Sequence, residues 1–248
     1  MITIKTSEEI QIMTEGGKIL AKIMEELEKQ VKAGITTKEL DRAAEALILK
    51  YGAKPSFKNY KGFPACLCTS INEKLVHVVP SDSALKQGDI ISLDLGLLYK
   101  GFHADMAITV GVGKISKKAK KLIKTTKESL DFIIKKIKPG MKTSQVGSLI
   151  ENFIKKRGFG VIRELCGHGI GRNLHEEPQL PNYKDVREEA VLKEGMTICL
   201  EPMVTLGDWR IKKAKDGYGF ETKDGSLSAH FEHTIAITKK GAKILTVL

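Results

Sequence analysis

The order of elements in this sequence predicts a mixed α/β (α+β) fold made of two related halves. Helix–helix–strand chemistry appears twice along the 248 residues, and two segments of the first half align on the second at a nearly constant offset. A third observation bears on function. Ile90–Gly96 and Phe102–Ile108 read as apolar strands, each carrying one aspartate where a sheet core normally carries none.

Thr6-x-x-Glu9 is a capping-box signature that opens a helix reaching about Gln30. A second helix runs from about Thr37 to Tyr51 and stops at Gly52. Gly62 to Val79 has strand chemistry, with a turn at Asn72-Glu73. The two aspartate strands follow, joined by a hairpin-length connection. A turn at Tyr99-Lys100 sets Asp94 directly across from Asp105, whereas a turn at Lys100-Gly101 makes them diagonal neighbours on one face. Either register brings two carboxylates together, which forces a proton onto one of them unless a cation lies between. Two further helices, about Ser116–Lys136 and Thr143–Arg157, end at Gly158. Strand and loop with frequent glycine fill the rest.

Gly34-x-x-Thr37 to Gly52 aligns without gaps on Gly140-x-x-Thr143 to Gly158, an offset of 106. Leu85–Asp94 aligns on Leu192–Glu201 at an offset of 107, so that Asp94 falls on Glu201. Asp105–Thr109 resembles Glu232–Thr238, and His77-x-x-Pro80 echoes His175-x-x-Pro178. The expectation is one catalytic domain, residues 1–248, with halves of about 1–112 and 113–248. A pseudo-twofold between them would bring Asp94 and Asp105 opposite Glu201 and Glu232. Four uncompensated buried carboxylates are prohibitively costly, and two divalent cations would neutralise them.

The imidazole to join them is His168, whose neighbours Gly167 and Gly169 leave its ring unshielded and let the backbone pass close to a metal. His77 and His175 occupy matching places outside the acidic set and are expected to contact substrate, donating to a carbonyl or developing oxyanion. His103, His230 and His233 read as structural, and Glu176 and Glu177 as solvated. An oxygen-rich ligand set suits Mn, Fe(II), Co or Zn better than a thiolate site would. Two such ions sharing a water or hydroxide polarise a carbonyl or phosphoryl group, so the residues alone point to a dinuclear hydrolase of peptides or phosphoesters.

Composition narrows the setting. With 42% apolar and 29% charged residues the chain reads as soluble and globular. Met1–Lys18 lacks the apolar core of a signal peptide, and no apolar run suffices to span a membrane. The cysteines, Cys66, Cys68, Cys166 and Cys199, form no Cys-x-x-Cys pair, so reduced thiols in a cytoplasm are expected. Net charge is +11, and eleven lysines crowd between Lys114 and Lys142. A solvated helix face explains them, since aromatic residues other than Phe132 do not interleave as a nucleic-acid surface would require.

Asp94, Asp105, His168, Glu201 and Glu232, in that order, resemble the ligand pattern of the type I methionine aminopeptidases, members of the pita-bread (creatinase/prolidase-like) family. Asp94-Leu95-Gly96, Gly101–Asp105, Gly167–Gly171, His175–Pro178, Glu201–Val204 and Glu232–Ile235 carry the likeness over nearly the whole chain. The resemblance implies a curved antiparallel sheet with flanking helices and removal of the initiator methionine from nascent chains whose second residue is small and uncharged. It implies two divalent cations, with Asp94 on one, His168 and Glu201 on the other, and Asp105 and Glu232 bridging. Glu201 is then the proton acceptor, and His77 and His175 contact the substrate. Tyr60, Phe63, Cys68, Leu174 and Tyr218 would form the methionine pocket. A cytoplasmic monomer is expected, its partners nascent N-termini and, transiently, the ribosome, with no membrane. Length favours type I, without the N-terminal domain of prolidases or the helical insertion of type II enzymes. Two departures stand out: Val78 follows His77 where glycine is frequent, and Leu174 replaces a common phenylalanine. The competing readings are an Xaa-Pro peptidase with the same five ligands and a non-catalytic RNA- or ribosome-binding relative.

Overall fold

The structure is a computed structural model that describes residues 2–187 and 189–248. Among them are four α-helices: α1 (Ser7–Glu28), α2 (Thr37–Lys50), α3 (Lys117–Lys136) and α4 (Thr143–Lys155). Thr6 caps α1 through a capping box with Glu9, and Thr36 does the same for α2 with Glu39. Each helix ends within two residues of its sequence-based boundary.

The helices cover one face of a nine-stranded sheet. Alternation decides which side chains face them. On strand Ile90–Tyr99, Ile91, Leu93, Leu95 and Leu97 pack against Leu20, Ile23 and Leu27 of α1 and Leu40, Ala44 and Ile48 of α2. In the second half, Ile198, Leu200, Ile235 and Ile237 meet Leu122 and Ile133 of α3 and Val146 and Ile150 of α4. Each such side chain contributes roughly 1.5–3 kcal/mol by leaving water. The residues between them in sequence, Asp94 among them, point to the opposite face.

The hairpin adopts the diagonal register. Asp94 pairs with Ala107 and Gly96 with Asp105, because the turn falls at Lys100-Gly101, where both residues have positive φ (48° and 84°). Strand Glu232–Thr238 adds next to the hairpin with Glu232 opposite Ala107, then Thr197–Leu200, then Cys166–Gly169 with His168 opposite Cys199.

One local expectation changes. Asn72-Glu73 does turn the chain, but strand Lys74–Val76 leaves the main sheet and pairs with Phe220–Thr222. The Asn72 side chain explains the exit: it donates to Asp89 Oδ1 (2.9 Å) and accepts from Ile90 N–H (3.1 Å), fixing the turn on the neighbouring strand.

Backbone contacts recur at aligned positions. Gly34 N–H donates to Leu85 O and Gly140 N–H to Leu192 O, both at 2.8 Å, and the bridges Thr36–Ala84 and Lys142–Val191 flank them. No disulfide forms, and no helix among the described residues is long and apolar enough to cross a membrane.

Candidate metal centre and active site

Sheet register brings the five proposed ligands onto two adjacent rows of one face. Asp94 and Glu232 flank Ala107 on one row, and Glu201 follows directly after Leu200 beside them. Asp105, Thr234, Cys199 and His168 lie across the next row. Small residues at Ala107, Thr234 and Cys199 leave room in front of the sheet. Thr234 Oγ1 also accepts from Asp105 N–H (2.9 Å) and donates to Asp105 O (2.8 Å), which fixes the aspartate backbone.

Asp94, Asp105, His168 and Glu232 are all buried. Burial and the Asp105 charge hold Asp94 well above the usual carboxylate range, and burial pushes Asp105 up to about 7. Glu201 is raised by burial and by Asp94 and Asp105, and Glu232 by burial and the other three carboxylates. Asp94 Oδ1 and Glu232 Oε1 are buried without a hydrogen-bond partner. A divalent ion answers both problems, since it neutralises the acids and occupies their orphaned lone pairs.

The histidine is prepared for the same task. His168 Nδ1 lies 2.8 Å from Gly169 O, and a carbonyl only accepts, so Nδ1 carries the proton and Nε2 keeps its lone pair. Burial lowers the His168 pKa to about 4, so the ring is neutral at pH 7. Nε2 stands 3.7 Å from Glu201 Oε1. One ligand atom each from Asp105, His168, Cys199 and Glu232 fall within 4.8 Å of one another. The donor set fits a divalent metal.

In front of the carboxylates is a cavity of about 280 Å³ whose walls include Tyr60, Phe63, Cys68, Leu174 and Tyr218 together with His77 and His175. Phe63 and Tyr218 meet edge-on at 5.6 Å, and Tyr218 O–H donates to Gly62 O at 2.8 Å. His175 Nδ1 is 2.9 Å from Tyr60 Oη. His77 has a left-handed backbone (φ 58°), which turns its side chain out of the strand path. Burial, with Lys213 and Lys61 adding to it, lowers His77 to about 4. Burial and the neighbouring His168 lower His175 to about 3.

The two departures find their places. Val78 is buried against Gly219, where a Cβ would stand 2.7 Å from Val78 Cγ2; the absent side chain there makes room for the branched one. Leu174, equally buried, forms part of the cavity wall.

Two sequence readings change. Glu176 is not solvated: its side chain is buried in an ion pair with Lys5, from the segment preceding α1. His230, expected to be structural, faces the acidic centre: its Nε2 lies 3.5 Å from Glu201 Oε2. Period-two alternation through Ser228–Glu232 would have found it, because His230 shares the face of Glu232. Cys199, Phe57, Lys61 and Lys213 also reach the site, Lys61 from the 3-10 turn Tyr60–Gly62 and Lys213 from the end of strand Ile211–Lys213, which no local pattern connects. His103 and His233 bond to Ser56 and Thr246 and stay outside it.

Residues 11–239 match metallopeptidase family M24. The chain belongs to that family. Members are therefore metal-dependent peptidases, consistent with the acidic, imidazole-bearing centre. Methionine aminopeptidase 1 of Bacillus subtilis is 48% identical over 99% of both chains. The crystal structure of a methionine aminopeptidase from Thermotoga maritima is 43% identical over 100% of both chains, with a TM-score of 0.97. The family likeness extends to a prolidase from Pyrococcus furiosus, 29% identical with a TM-score of 0.78 over 99% of this chain and 65% of that one. The curved antiparallel sheet with its two helix pairs is thus the pita-bread fold, and the chain is a divalent-metal-dependent aminopeptidase of this family.

Proposed function

We propose that this enzyme removes the N-terminal methionine from nascent chains whose second residue is small and uncharged, using two divalent cations. The observation that carries the reading is that one cavity joins an acidic, metal-fitting centre to a wall of apolar and aromatic side chains. Tyr60, Phe63, Cys68, Leu174 and Tyr218 would enclose the methionine side chain, whose flexible thioether packs well against aromatic edges. A free amine would be drawn to the carboxylate end of the cavity, which limits the activity to chain ends.

Asp94 would hold one ion and His168 with Glu201 the other, with Asp105 and Glu232 shared. When bound, such a pair supplies a nucleophile at neutral pH and polarises the scissile carbonyl. The chain's own residues do the rest. Glu201 accepts the proton released as water adds to the carbonyl. Tyr60 O–H donating to His175 Nδ1 leaves Nε2–H of His175 as a donor toward the oxyanion, and His77 contacts the substrate beside it. Both rings stay neutral at pH 7, because burial disfavours their charged forms. Co, Mn, Fe(II) and Zn all suit this donor set.

The two helix–helix–strand halves, about 1–112 and 113–248, read as parts of one catalytic domain, supported by the recurring contacts of Gly34 and Gly140. The eleven lysines between Lys114 and Lys142 are all exposed, which supports transient, salt-sensitive contact of a cytoplasmic monomer with the ribosome.

Turnover of Met-Ala-Ser, its loss on chelation and its return with an added divalent ion test the proposal. Recovery with none of the four ions would sink it. Faster cleavage of Xaa-Pro peptides than of Met-Ala-Ser would assign the prolidase-type substrate instead.

A further inference from the structure

His230 is 1% exposed, and neither of its ring nitrogens has a hydrogen-bond partner within the protein. A buried imidazole with both nitrogens unpaired is rare enough to demand a cause. The ring cannot withdraw. Its backbone N–H donates to Thr109 Oγ1 and its carbonyl accepts from the same hydroxyl, both at 2.8 Å, and Thr109 is itself tied to Ser92 on the aspartate hairpin.

The geometry around Glu201 gives the cause. His168 Nε2 is 3.7 Å from Glu201 Oε1, while His230 Nε2 is 3.5 Å from Glu201 Oε2 and 3.8 Å from Glu232 Oε2. The two oxygens of Glu201 therefore face different imidazoles. His168 has its Nδ1 proton fixed by Gly169 O, so it offers a lone pair at Nε2. His230 has no such tie, and its complementary tautomer offers an N–H at Nε2.

We propose that His230 is a positioning residue whose Nε2–H donates to Oε2 of Glu201, leaving Oε1 to face the metal beside His168. The inference rests on the reading of Glu201 as a metal ligand and proton acceptor. A carboxylate pinned at one oxygen has a single orientation, so the metal meets a preformed ligand. Without the donor, Glu201 rotates and the site must order it on each binding event.

The test compares His230→Leu, which has no donor, with His230→Gln, whose amide N–H reaches a similar position. The readouts are Co(II) affinity by calorimetry, the visible absorption of the Co(II) form, and kcat/KM on Met-Ala-Ser. Loss of this kind of supporting contact weakens metal binding by about 10–100-fold, so His230→Leu is expected to fall in that range while His230→Gln recovers most of it. The visible bands of the glutamine variant should match those of the unaltered protein. Should His230→Leu fail to fold, as judged by circular dichroism, His230→Asn replaces it, its amide being too short to reach Glu201. Equal affinity in the donor-less variant overturns the proposal. So does a glutamine variant whose bands show one nitrogen ligand fewer, which would make His230 a direct ligand. If the unaltered protein neither binds Co(II) nor cleaves the peptide, the reading of the whole site falls, a result distinct from either.

Discussion

The two halves of the molecule deliver their acids by different means. In the first, Asp94 and Asp105 sit on one continuous hairpin of two ten-residue strands joined by a tight two-residue turn. In the second, Glu201 directly follows strand Thr197–Leu200 and Glu232 opens strand Glu232–Thr238, the two separated by a long excursion that contains Ile211–Lys213 and Phe220–Thr222. That excursion carries Lys213 and Tyr218 to the rim of the cavity. The second half also contributes His168, a residue for which the aligned part of the first has no counterpart. A shared frame thus suffices to converge four carboxylates, whereas Lys213 and Tyr218 line the cavity from a segment in which the halves differ. The halves also lock across the cavity: Tyr60 reaches His175, Tyr218 reaches Gly62, and Asp216 accepts from Val79 N–H at 2.9 Å.

The largest expected effect separates the two aligned acids. Glu201→Gln keeps the shape of the side chain but removes the proton acceptor, so kcat should fall by about 10²–10⁴ with the fold intact. Excess metal should not restore it. Asp94→Asn should instead weaken metal binding, and raising the metal concentration should recover part of its activity. Steady-state kinetics across a metal titration distinguish the two. Identical behaviour would mean that the aligned acids do equivalent work and that the asymmetry assigned to Glu201 is wrong.

How much of this was legible in sequence follows from the same contrast. Asp94 and Asp105 announce themselves because a charge on an apolar strand is locally anomalous, and the repeat then leads to Glu201 and Glu232. Their convergence on one face needed only alternation and strand pairing. The hairpin register stayed open because both possible turns obey the same chemistry; only the positive φ at Lys100 and Gly101 decides it. Lys5–Glu176 was invisible because its partners lie 171 residues apart and neither belongs to a pattern. His230 reads as structural in the sequence because a histidine beside an acid is ordinary in a core until its unpartnered nitrogens are seen. Burial and hydrogen-bond satisfaction are properties of the assembled fold, and those were the signals that sequence lacked.

The acids act together in a way that pH should expose. Asp105 is raised by burial to about 7, and Asp94, Glu201 and Glu232 are raised as well. An acid with a raised pKa in the folded state stabilises the fold below its unfolded value, and that stability is lost as pH rises through the folded pKa. Buried histidines work in the opposite sense. With pKa values lowered to about 4 at His168 and about 3 at His230, they stabilise the fold above the ordinary histidine range and lose that as pH falls. Above about pH 7 the histidines are neutral in both states, so the slope comes from the acids and, as the unfolded thiols begin to ionise, from Cys66, Cys68 and Cys199, whose pKa values burial raises. The metal-free enzyme should therefore melt at lower temperature at about pH 8.5 than at about pH 7, and saturating metal should flatten the difference. A pH dependence that saturating metal leaves unchanged would show that the four buried acids do not carry it.

The smallest effect concerns the two histidines proposed to face substrate, which are held by different devices. His77 is directed by its own left-handed backbone and packs edge-on against Phe220, whereas the His175 ring bonds to the Tyr60 hydroxyl from the other half. Tyr60→Phe removes that hydroxyl but keeps the ring, which lies 5.2 Å from the His175 ring, so the apolar pocket survives. A neutral hydrogen bond of this kind contributes about 0.5–1.5 kcal/mol, equivalent to a factor of about 2–13. The loss should appear in kcat, because an unbraced imidazole presents its N–H to the oxyanion for less of the time, while KM for Met-Ala-Ser changes little. A rise in KM with unchanged kcat would instead assign the hydroxyl to binding of the ground-state substrate. Unaltered kinetics would mean that contact with the His168 ring, 4.3 Å away, orients His175 without help from the first half.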